Sequence, residues 1–214
     1  MSFQQFTIFP GNTCAVGSAT FGVTASVPAL TNNKSSCSSL VGSGIACKSV
    51  GTFSETVACS NGAQDLLKLM SGPVFTINIY SDAACGSPVE TAAAVLDKCI
   101  SISAGGTSFN AIVTTSKNGT VDSTLYDDSA CKVASKDQST NTPATLPQCE
   151  GQVAPALGQC AKIPTECMAA FASRYNGVSL GSFKYEQVVA VPATKSSALG
   201  VGISFVAGVA ALLL

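Results

Sequence analysis

The sequence predicts a mainly β chain: disulfide-stapled, β-sandwich-like repeat units, one or two short helices, and an apolar C-terminal helix or signal. Three observations predict it. Short runs alternate apolar and polar residues with a period of two, the pattern of a strand with one buried face. Ten cysteines are spread along most of the 214 residues. And "IYSDAACGSP" at 79–88 returns as "LYDDSACKVA" at 125–134, keeping apolar-Tyr-x-Asp-x-Ala-Cys and using two of only 4 tyrosines.

The elements follow in order. "FTIF" at 6–9 is a first strand, followed after Pro10-Gly11 by Cys14, and it is a degraded copy of the later motif. "GTFSETV" at 51–57, "GTSFNAIV" at 106–113 and "GSFKYEQV" at 181–188 form a second recurring element: Gly, a small hydroxyl residue, Phe and a strand-like run. "AQDLLKLM" at 63–70 makes two helical turns. "VFTINIY" places Phe75, Ile77 and Ile79 on one face and Thr76, Asn78 and Tyr80 on the other, a half-buried strand. At 87–98 two signals conflict, because Ser87, Pro88 and Glu90 spell a helix capping box while the repeat asks for a loop and a strand. The repeat is preferred. Asn118-Gly119 joins two alternating runs as a hairpin, since both residues tolerate positive φ. A last helix is expected at 164–177, capped by Thr165 and stopped by Asn176-Gly177. The units divide at 1–72, 73–119 and 120–192, with the C-terminal segment at 193–214.

In the recurring motif the strand ends, the Asp bonds its own turn backbone, and the Cys staples the turn to a neighbouring strand with the Tyr ring covering the bridge. Calcium is the alternative, with Asp82, Asp127 and Asp128 as oxygen ligands, but their spacing matches no calcium loop. No metal and no cofactor is expected.

Cys14, Cys37, Cys47, Cys59, Cys85, Cys99, Cys131, Cys149, Cys160 and Cys167 include no C-x-x-C pair, and the chain has no His. That combination reads as a disulfide framework and therefore an oxidising compartment. Repeat logic pairs each corner cysteine with the next one, as Cys85–Cys99 and Cys131–Cys149. Asn33-Lys34-Ser35 and Asn118-Gly119-Thr120 are glycosylation acceptors, in keeping with that compartment.

Composition excludes more than it selects. Charged residues are 11% of the chain against about 25% in an ordinary soluble domain, and the net charge is −1. No basic cluster could follow a phosphate backbone, so nucleic acid is not a partner. The absence of His removes the usual catalytic triads and zinc sites, and the absence of Trp removes the strongest stacking platform. A non-enzymatic protein is expected.

The chain ends "ATKSSALGVGISFVAGVAALLL", and 198–214 carries no charge. Small residues ahead of a terminal apolar run are the signal for a glycosylphosphatidylinositol (GPI) anchor, here at Ser196 or further upstream towards Gly181–Ser182. A tail anchor, or a buried helix, is the competing reading; as a helix the run would span about 25 Å. "MSFQQFTIFPGN" is not a signal peptide, so the oxidising reading expects a leader upstream of Met1.

Together the tail, the cysteines and the recurring units resemble the GPI-anchored, cysteine-rich surface glycoproteins of microbial eukaryotes. That resemblance implies a non-catalytic protein on the extracellular face of the plasma membrane, serving as coat, adhesion or recognition module. Its partners would be the membrane, through the lipid anchor or a C-terminal helix, and an extracellular protein or glycan. Two alternatives stand beside it. One is a surface hydrolase using Asp127, Asp128, Glu150 or Glu166; the other is a tail-anchored intracellular binding protein.

Overall fold

The computed structural model describes residues 3–26, 37, 45–104, 107–115, 121–136, 156–164 and 178–190. The Cys149 and Cys167 side chains, both glycosylation acceptors, Ser196, the 164–177 helix beyond its first residue and the apolar tail lie outside them.

Eleven strands and one helix are present among the described residues. They are β1 (Phe3–Pro10), β2 (Phe21–Ser26), β3 (Ile45–Val50), β4 (Phe53–Ser60), α1 (Ala63–Leu67), β5 (Gly72–Tyr80), β6 (Pro88–Val95), β7 (Cys99–Ala104), β8 (Thr107–Thr115), β9 (Val121–Leu125), β10 (Cys160–Lys162) and β11 (Ser182–Ala190). The large sheet has eight strands in the order β10-β11-β5-β6-β2-β1-β4-β3, and the small one runs β7-β8-β9. All the strand pairs are antiparallel. The eight-stranded sheet combines strands from all three segments drawn from the sequence.

Alternation builds the core. Phe6 and Ile8 of β1, Phe21 and Val23 of β2, Phe75, Ile77 and Ile79 of β5, and Phe183 and Tyr185 of β11 share one face of the large sheet. Ile100, Ile102, Val113 and Val121 of the small sheet join them in a single apolar cluster. Each such side chain contributes about 1.5–3 kcal/mol when removed from water. The Tyr185 ring lies 5.5 Å from both the Phe75 and Phe183 rings, and burial raises its phenol pKa.

The expected turns at 63–70 appear as α1 followed by a tight bend. Leu66 and Met70 are fully buried against the opposite face of the large sheet, among Phe9, Val74, Ala93 and Val95. Leu66 sits directly on Gly22, where an added Cβ would collide with Leu66 Cδ1 and lie 2.9 Å from the Phe6 carbonyl oxygen. Only glycine lets the helix approach so closely. The conflict at 87–98 resolves as β6, because Val89–Val95 fill a central position between β5 and β2. No helix of the described residues is long and apolar enough to cross a membrane.

One expectation needs correcting. The strand at 74–80 is not half-buried: Thr76 and Asn78, on the polar face, are as enclosed as their apolar neighbours. These side chains are tolerated inside because they hydrogen-bond to each other along β5 and to Thr91 and Glu186 on the strands at either side.

Candidate functional site

Three corners share one geometry. Ile8, Ile79 and Leu125 each lie six residues before a cysteine, namely Cys14, Cys85 and Cys131. In the sheets they pair with Glu55, Phe183 and Ala111 of the adjoining strand. The sulfur of each cysteine lies 3.7 Å from the carbonyl oxygen of that pairing residue. From there each corner is bridged to the next strand outward, as Cys14–Cys47, Cys85–Cys160 and Cys99–Cys131. The adjoining strands β4, β11 and β8 are the three Gly-hydroxyl-Phe runs recognised in the sequence.

At the two Tyr-containing corners the match extends to the backbone. Tyr80 pairs with Pro88 and Tyr126 with Ala134, eight residues on in each case. Asp82 Oδ1 accepts the amide hydrogens of Ala84 (2.8 Å) and Gly86 (3.0 Å), while Oδ2 accepts that of Ser87 (2.5 Å). Asp128 accepts from the amides at the same relative positions, with Oδ2 taking Ala130 (3.2 Å) and Oδ1 taking Lys132 (2.9 Å) and Val133 (2.6 Å). These bonds hold both carboxyl groups below their ordinary pKa, through the Gly86 amide first at Asp82 and the Val133 amide first at Asp128. They also position Cys85 and Cys131 with φ of 56° and 51°, a region that non-glycine residues seldom occupy. The fit is tightest at Gly181: its N–H donates to the Tyr80 carbonyl at 2.8 Å, and a Cβ there would run into the Asp82 backbone. Ser182 Oγ then donates to the Asp82 carbonyl at 2.6 Å.

The predicted pairings are overturned. Cys85 joins Cys160 and Cys131 joins Cys99, so neither Cys85–Cys99 nor Cys131–Cys149 forms. The reason is that the strand beside β5 is β11 rather than β8. Cys37–Cys59 is the fourth bridge.

The other candidate residues separate. Asp82 and Asp128 spend their oxygens on their own turns, and no group of three metal-binding side chains occurs among the described residues. Asp127 is exposed at the second corner; Glu150 and Glu166 lie outside the described residues.

Sequence reading missed a polar row on the α1 face of the large sheet. Gln5, Thr24, Thr91, Asn78 and Lys184 lie opposite one another across five strands. Thr91 Oγ1 donates to Asn78 Oδ1 (2.8 Å), and Asn78 Nδ2 donates to Thr76 Oγ1 (3.2 Å) and to Glu186 Oε2 (3.0 Å). Glu186 Oε1 holds Lys184 Nζ at 2.6 Å, which raises the lysine pKa. At the β11 end the row opens: the Lys184 and Glu186 side chains are 27% and 32% exposed beside half-buried Tyr80. Burial, and then the Glu186 carboxylate, push the Tyr80 phenol up. Polar residues at every second strand position were the available signal. They read equally well as a solvated face.

Comparison with protein-family models, with curated proteins and with solved structures finds no match to this chain.

Proposed function

We propose that the protein is a non-catalytic extracellular surface protein, a coat, adhesion or recognition module held on the membrane by a GPI anchor. The observation that carries this reading is the set of stapled corners. Each of the three corner bridges ties a turn to a strand two places away, and all eight cysteines among the described residues are paired. Such bridges persist in oxidising compartments and are rare in the cytosol. A scaffold closed this way loses the local openings through which proteases act. The uncharged run at 198–214 after Lys195-Ser196-Ser197 supports lipid attachment. The half-exposed Tyr80, Lys184 and Glu186 offer donors and acceptors on a rigid surface, suited to an extracellular protein or glycan.

The test is treatment of intact producing cells with a phosphatidylinositol-specific phospholipase, followed by the mass of the C-terminal peptide. Release of a chain ending beyond β11, between Ala190 and Ser197, is the expected result, since an end near Gly181 would remove a strand that carries core residues Phe183 and Tyr185. A protein that stays with the membrane and retains Leu214 would sink the reading.

A further inference from the structure

The order of parts along the chain differs from their order in space. Each stapled corner needs four parts: a corner strand, the return after the turn, an outer strand carrying the second cysteine, and a middle strand. In sequence these occur three times in the same order, as β1-β2-β3-β4, then β5-β6-β7-β8, then β9, the Ala134 bridge, β10 and β11. In space the first set closes on itself as β2-β1-β4-β3. The other two exchange halves: β10–β11 completes β5–β6, and β7–β8 completes β9.

Link length decides which sets exchange. To close on its own set, the chain must pass from the return strand to the outer strand across two others, three strand spacings or about 14 Å. The first set has residues 27–44 for this, and the third has 135–159. The second has only Leu96, Asp97 and Lys98 between β6 and β7. Fully extended they reach about 14 Å with no allowance for the bend at either end. Instead Asp97 adopts φ 59°, donates its N–H to the Val113 carbonyl at 2.9 Å, and turns the chain into the second sheet. The β5–β6 hairpin is thereby left to be completed by whichever outer–middle hairpin reaches it.

We propose that a second copy of this chain is a partner, with β10–β11 of one molecule completing β5–β6 of its neighbour and Cys160 of one bonded to Cys85 of the other. The donated surface is that of the internal exchange, so its register and staple are already in place. The connector 135–159 extends to about 80 Å, enough to reach an adjacent molecule. A tether of this length gives the internal hairpin an effective concentration of about millimolar, and neighbours compete only when packed at similar density. The proposal therefore rests on the surface-coat reading. In bond formation two thiols yield one disulfide, and their two electrons and two protons reduce a disulfide oxidant such as glutathione disulfide.

The test uses two full-length copies with different epitope tags, produced together in the same cells. After alkylation of free thiols they are denatured without reductant, and one tag is captured. Recovery of the other tag, abolished by reductant, is expected. Absence of recovery overturns the proposal. A variant with about fifteen Gly/Ser residues inserted between Asp97 and Lys98 keeps every cysteine and gives the second set a link comparable to the first. It should show Cys85–Cys99 peptides and lose the co-recovery; co-recovery that persists there overturns hairpin donation. Phospholipase release without co-recovery would leave the surface reading standing and end this one, and co-recovery without release would do the reverse.

Discussion

Removing the Cys85–Cys160 bridge by Cys85→Ala with Cys160→Ala should have the largest effect of any bridge deletion among those described. The bridge closes a separation of 75 residues, against 33, 22 and 32 for the others. Cys99–Cys131 lies inside that loop and already shortens it to about 44 residues, for which the chain-entropy relation gives about 4 kcal/mol. A local Cys85–Cys99 bridge would close only about 14 residues and contribute about 3 kcal/mol. In a domain of this size, 4 kcal/mol lowers the melting temperature by roughly 8–16 °C. Thermal unfolding followed by circular dichroism, without reductant, reads this directly. A variant melting within about 3 °C of the parent would refute the reasoning, because entropy lost by the unfolded chain cannot be so small for a loop of this length. Recovery of a Cys85–Cys99 peptide from the parent protein would refute it at its premise.

Other outcomes follow from the same geometry. Gly181→Ala should destabilise by roughly 3 kcal/mol or more, since the new methyl meets the Asp82 and Ala83 backbone and no flexible side chain can give way; denaturant titration that leaves the midpoint unmoved would contradict this. Asp82→Asn with Asp128→Asn should flatten the acid side of the stability profile. Both carboxyl groups sit below the ordinary 3.8, so their contribution is present above that pH and lost as pH falls through the lower folded values. Unfolding curves between pH 2 and 6 for parent and variant make the comparison. Eight of the ten cysteines are paired, so peptide mapping without reductant should recover Cys149 linked to Cys167 and no alkylated cysteine. Two alkylated cysteines would count against it.

How much was legible can be judged from particular residues. Period-two alternation placed Phe75, Ile77 and Ile79 on the core face, because a strand must present successive side chains to opposite sides. The Asp in Tyr-x-Asp-x-Ala-Cys announced a capped turn, since its carboxylate can reach amides two to five residues ahead wherever the strand ends. Cys14, six residues after Ile8, sets its sulfur against the Glu55 carbonyl as Cys85 and Cys131 set theirs against Phe183 and Ala111. These are local matters, settled within a few residues of chain.

What the sequence did not carry was the identity of the neighbour. Thr76 and Asn78 read as solvated, yet they are enclosed through bonds to Thr91 and Glu186, residues brought alongside only by the order β11-β5-β6. Cys85 faced several equivalent partners, and similarity between the segments favoured the nearest. The partner was decided by three residues, Leu96 to Lys98, too short to recross the sheet. Alternation and turn chemistry are properties of a segment and stand in the sequence itself. Which strand completes which corner depends on distances across a sheet, and those exist only once the chain has folded.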